Sequence, residues 1–85
     1  MNPLRFDLQH LRAFMMVAEQ LHFKKSAELL HMTQPGLTRL IKALEEALQV
    51  RLFERSTRQV KLTAAGFLFL QETQQVFAHL HRGID

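Results

Sequence analysis

Eleven lysines and arginines stand against eight acidic residues in this 85-residue chain, and their placement is uneven. In residues 24–42, Lys24, Lys25, Arg39 and Lys42 are opposed only by Glu28. In residues 51–61, Arg51, Arg55, Arg58 and Lys61 are opposed only by Glu54. Each stretch nets +3, while the remainder of the chain nets −3. Cations that keep their charge at neutral pH suit one task well: neutralising phosphates and releasing their counterions. Chance clustering would leave a merely solvated face. Two basic segments separated by the neutral-to-acidic ALEEALQV point instead to a polyanion as partner.

Other chemistries find little support. The five histidines include His79 and His81, which are two apart and so point to different sides of a helix, a poor metal geometry. There is no cysteine, which excludes disulfide scaffolds, thiol chemistry and cysteine-bound zinc. No nucleophile–base pair and no phosphate-cradling glycine loop stands out. The expectation is a protein that is not an enzyme, with no cofactor and no metal site. No apolar run approaches the roughly 20 residues needed to span a bilayer. The opening MNPLRFDLQH lacks the basic-then-apolar pattern of a signal peptide, so a cytoplasmic location without a membrane partner is expected. A hydrophobic fraction of 47% with seven Phe suits one small domain with a thin core.

These cations need elements to hold them. Leu8, Leu11, Phe14, Met15 and Ala18 recur at helical spacing in LQHLRAFMMVAEQ, with Asp7 as N-cap. KKSAELLH reads as a short second helix with Ala27 and Leu30 inward. Lys24 and Lys25 fall in its first turn, where the helix dipole disfavours cations; a nearby phosphate would offset this, as would two lysines snorkelling into water. After HMT, a third helix starts with Thr33 as cap and Gln34 or Pro35 as first residue, since proline's missing N–H costs nothing there. Leu37, Ile41, Leu44 and Leu48 form its apolar stripe. Pro35 and Gly36 carry no bulky flexible side chain, so another surface can approach this helix end, flanked by Gln34, Arg39 and Lys42. Helix, brief turn and a helix with a basic leading face make a helix-turn-helix. In VRLFERSTRQVKL, residues 50–62, alternation of Val50, Leu52, Val60 and Leu62 around ERSTRQ predicts a hairpin with Arg55 and Arg58 near its tip. Beside a helix-turn-helix such a hairpin reads as a wing for phosphates or a minor groove. Thr63 caps a last helix running to about Arg82, whose Phe67, Phe69, Leu70, Val76, Phe77 and Leu80 exceed what a small domain covers; a second copy would cover them.

LRAFMMVAE, FKKSAELLHMTQPGLTRLIKALEEAL, VRLFER and LTAAG, in this order and spacing, resemble the N-terminal DNA-binding domain of LysR-type transcriptional regulators over essentially the whole chain. The resemblance implies a mainly α, winged helix-turn-helix over residues 1–63, with the motif at 23–42 and the wing at 50–62. A linker helix over 64–82 would pair two subunits antiparallel through Phe67, Leu70, Phe77 and Leu80. Matched by motif, Thr33, Gln34, Pro35, Thr38, Arg39 and Lys42 would face DNA from the recognition helix 34–48 in the major groove, and Arg55 and Arg58 from the wing. Lys24 and Lys25 are candidate phosphate contacts. The chain departs from the family pattern at Leu21-His22, where Gly-Ser is usual, at Ser26 for Ala, at Gln49 for Gly, and in a wing without glycine. The family's ligand-sensing domain lies outside this sequence, which reads as the DNA-binding part of a longer regulator.

The expected partners are double-stranded operator DNA and a second copy, with a tetramer conceivable for a full-length protein and a small-molecule effector for the absent domain. A competing reading is a protein-interaction module built on the last helix without DNA. The two basic segments, idle in that case, argue against it.

Overall fold

A computed structural model describes residues 4–84. Among them, helices α1 (Leu8–Gln20), α2 (Phe23–Leu29) and α3 (Gln34–Leu48) precede strands β1 (Phe53–Arg55) and β2 (Val60–Leu62), and α4 (Ala64–Ile84) follows. The expected winged helix-turn-helix with a long last helix is therefore the observed architecture.

Helix α1 is the hub, packing against α2, α3 and α4. Asp7 caps it as expected, its Oδ1 accepting the amides of Gln9 and His10 at 3.0 and 3.3 Å. His10 completes a capping box: its Nδ1 lies 3.2 Å from the Asp7 amide and 2.9 Å from the Asp7 carboxylate. A neutral ring protonated on Nε2 accepts from that amide, and a protonated ring donates to the carboxylate. The expected stripe on α1 needs one correction. Leu11, Phe14 and Ala18 are buried and Met15 is half-buried, but Leu8 is 50% exposed, and Val17 and Ala13 are inside. Leu8 opens the helix and projects before the packed surface begins.

Five of the seven phenylalanines form one chain through the core. Phe6 meets Phe69 at 6.3 Å, Phe69 meets Phe14 at 5.3 Å, Phe14 meets Phe53 at 5.5 Å, and Phe53 meets Phe23 at 6.1 Å. This chain ties α4, α1, β1 and α2 together in offset and edge-on geometries that aromatic quadrupoles favour. Leu37, Ile41 and Leu44 of α3 fill the other side of α1, with Leu48 half-buried.

Helix α2 stops at Leu29, two residues short of the expected end, because His31 takes a left-handed φ of 57°. His31 thus stands in for the glycine often found in this turn. The hairpin is shorter than its hydrophobic alternation suggested. Val50 and Leu52 lie before β1, and the ladder pairs Phe53 with Leu62, Glu54 with Lys61 and Arg55 with Val60. The last helix runs two residues beyond Arg82, to Ile84.

Candidate nucleic-acid interface

The opening of α3 is built as the QPG sequence suggests. Thr33 is extended, its Oγ1 accepts the Gly36 amide at 3.1 Å, and Pro35 sits in the first turn. A Cβ on Gly36 would come within 3.0 Å of that same hydroxyl, so the missing side chain also lets the cap close. Thr33, Gln34, Pro35, Arg39 and Lys42 are exposed and Thr38 is half-buried, all on α3 or its cap.

Helix α2 solves its missing serine with an imidazole. His22 is the N-cap, its Nδ1 accepting the Lys25 amide at 3.0 Å. Ser26, fully buried where the family pattern has alanine, donates its hydroxyl to the His22 carbonyl at 2.7 Å. Lys24 and Lys25 are exposed on the first turn.

The wing is fixed to α3 by an acidic residue, Glu45, that lies off the helix's apolar stripe. Glu45 Oε2 accepts the amides of Leu52 and Phe53 at 2.7 and 3.3 Å. A carboxylate taking two backbone donors makes strong charge-assisted bonds, so α3 itself carries the start of β1. No local signal marks this role, because the partners come seven and eight residues later, beyond the helix end. The turn between them needs Gln49 in the left-handed region, φ 58°, where the family pattern has glycine. Its Nε2 donates to the Glu46 carbonyl at 2.7 Å.

At the tip, serine supplies the closure that glycine would otherwise ease. The Ser56 amide donates to the Gln59 carbonyl at 2.9 Å, and Ser56 Oγ accepts the Arg58 and Gln59 amides at 3.2 and 3.1 Å. Arg58 is exposed on this tip; Arg55, on β1 rather than on the loop, stacks its guanidinium 3.8 Å from the centre of the Phe23 ring. One cleft, between wing and helix starts, is lined by His22, Lys24, Gln34, Arg55 and Arg58 among others. A second, between α3 and β1, includes Thr38, Lys42, Arg51 and Arg55. Members of the two basic segments thus share clefts: Lys24 with Arg55 and Arg58, and Lys42 with Arg51 and Arg55.

Behind the wing, LTAAG anchors α4. Thr63 donates its hydroxyl to the Arg51 carbonyl at 2.6 Å and accepts the Gly66 amide at 3.0 Å, while its own amide donates to Leu52 at 3.0 Å. Gly66 passes so near the segment leading into β1 that a Cβ would overlap the Leu52 carbonyl oxygen. Of the candidate pairing residues on α4, Phe67 is 60% and Leu80 42% exposed, whereas Leu70 and Phe77 are half-buried against the core. Phe77 borders a groove with Arg12, Met15 and Met16 of α1.

Among the described residues no cluster of three or more metal-ligating side chains occurs, and no helix is long and apolar enough to cross a membrane. At the start of α1, the hydrogen bond from the His10 side chain, followed by the His10 amide, holds the Asp7 carboxyl below its ordinary value of 3.8.

Residues 8–67 match the family of bacterial regulatory helix-turn-helix proteins, lysR family. The HTH-type transcriptional regulator AlsR of Bacillus subtilis is 47% identical over 79 residues, 93% of this chain and 26% of that protein. Among solved structures, the CbnR DBD–DNA complex superposes with a TM-score of 0.87 at 38% identity, covering 92% of this chain and 90% of that one. The BenM DBD/benA site 1 DNA complex gives 0.88 at 38% identity, covering 93% and 89%. The chain spans about a quarter of the length of the first curated relatives that it matches.

Proposed function

Because the chain belongs to the LysR family of bacterial regulatory helix-turn-helix proteins, we propose that it recognises a specific operator in double-stranded DNA as a homodimer. Residues 1–63 form the reading head and the helix from residue 64 joins two copies. Helix α3 enters the major groove, with Gln34, Thr38 and Arg39 toward base edges and Thr33, Pro35 and Lys42 beside them. Lys24 and Lys25 lie on phosphates, and the wing with Arg55 and Arg58 lies on phosphates or in the minor groove, Arg58 deeper. The observation that carries this reading is the placement of the basic wing and the exposed basic side of α3 around clefts that share Arg55.

The whole protein, which in the relatives is about four times longer, works in the cytoplasm and adds a small-molecule-sensing domain, as a dimer or a tetramer. The direct test is selection of duplexes from a random-sequence pool by the purified chain, followed by gel shift against unrelated competitor. One enriched motif that survives competitor supports operator recognition. Retention of all duplexes alike would leave only non-specific binding.

A further inference from the structure

The Arg55 guanidinium does not project from the wing as a free cation. It lies over the ring of Phe23, a residue only 4% exposed that opens α2. Phe23 also meets Phe53 edge-on, and Phe53 precedes Arg55 by two on the same strand. Residues two apart on a strand share a face, so β1 grips Phe23 twice, once by a ring edge and once by a cation. Guanidinium stacking on an aromatic face is attractive and geometrically restrictive. Across the ladder Arg55 pairs with Val60, and the intervening tip is closed on itself through Ser56. The tip that carries Arg58 therefore follows wherever Arg55 is held. Among the described residues, Arg55 alone lines both the α3–wing cleft and the cleft at the helix starts.

We infer that Arg55 is a positioning residue: its stacking on Phe23 sets the angle of the wing against the helix-turn-helix motif and so places Arg58 on bound DNA. This rests on the DNA-binding reading and divides the work of the two wing arginines. Of the two, Arg58 makes the contact that decides affinity, and Arg55, at the edge of the interface, chiefly aims it. An independent phosphate contact by Arg55 would behave differently. Its loss and the loss of Arg58 would then multiply, as they do for uncoupled sites.

The experiment uses the 85-residue chain as wild type, Arg55→Gln, Arg58→Ala and the double variant, on a duplex enriched by the wild type from a random pool. Arg58→Ala is expected to weaken binding about fivefold or more in the wild-type background but less than about twofold once Arg55 is Gln. In the absence of DNA, hydrogen exchange at the Ser56 amide is expected to quicken on the order of tenfold in Arg55→Gln, because the wing loses its hold. A mere DNA contact would not move that second readout. Single-variant factors that multiply in the double variant, or an unchanged Ser56 exchange rate, overturn the inference while leaving operator recognition intact. Failure of the wild type to enrich any duplex overturns both.

Discussion

Arg39 stands about one turn into α3, exposed and on a different side from the buried Leu37 and Ile41. That makes it the foremost candidate for reading a base edge, ahead of Thr38 and Gln34. Arg39→Ala is expected to cost about 1–3 kcal/mol on the selected operator and much less on random DNA. Equal losses on both would reduce Arg39 to a phosphate contact. A second residue contributes to acid stability. Asp7 has its carboxyl pKa lowered in the folded chain, chiefly by His10. Its contribution is therefore complete above its ordinary pKa of 3.8 and is lost as pH falls through the lower folded value. Chemical denaturation across pH 2–6 should show a shallower acid limb for Asp7→Asn than for wild type; parallel limbs would remove Asp7 from the account.

Among the elements, the junctions on either side of the wing hold the finest tolerances. Helix α3 ends on Gln49 in a left-handed conformation that L residues adopt at a cost of roughly 1–2 kcal/mol. Gln49→Gly removes that strain but also loses the side-chain bond to Glu46 and frees the unfolded chain. The strain relieved less glycine's entropic cost of about 0.5–1 kcal/mol leaves an expected net gain in unfolding free energy of at most about 1 kcal/mol. A loss of stability would mean that the Gln49 side chain outweighs the strain. At the other junction, Gly66→Ala drives a Cβ into the Leu52 carbonyl and to 2.8 Å from Leu62 Cδ2. Overpacking against backbone should destabilise by about 1–3 kcal/mol or more, since neither strand nor helix can yield alone. Urea titration measures both variants, and a neutral Gly66→Ala would show that α4 can lift off the wing.

For the whole molecule, the question is what covers α4. Its 21 residues extend about 31 Å at 1.5 Å each, longer than the domain beneath it can shield. Phe69, Leu70 and Phe77 pack back toward the core, while Phe67 and Leu68 near one end and Val76, Leu80 and Ile84 near the other remain exposed. An antiparallel second copy would bring each exposed end of one α4 against the opposite exposed end of its mate. Two reading heads would then address half-sites about 34 Å apart per helical turn. Because Phe77 also serves its own core, Leu80→Glu is the cleaner probe of pairing. It should convert a dimer to a monomer in sedimentation at tens of micromolar and weaken operator binding, with helix content by circular dichroism retained. A wild type already monomeric there, or a Leu80→Glu chain still dimeric, would refute the pairing.

The starts of α1, α3 and α4, the helix-turn-helix, the wing and the basic clusters were all legible in the chain, because each rests on local rules; the His22 cap of α2 was not. Asp7 and Thr33 cap through bonds spanning two or three residues, and the stripe of α3 repeats with the helical period. What tertiary structure alone decided depends on partners distant in sequence or on how far packing reaches. Leu8 keeps the helical spacing yet falls outside the packed face. Glu45 looks like a solvent residue until the chain turns back and offers it two amides. Gly66 belongs to a recognisable motif, but its necessity appears only where α4 crosses Leu52. Arg55 is legible as a wing cation, whereas its seat on Phe23 lies 32 positions away. Charge, capping and period act over a few residues and are written in order; contact between remote segments is set by the closure of the core, which no short stretch contains.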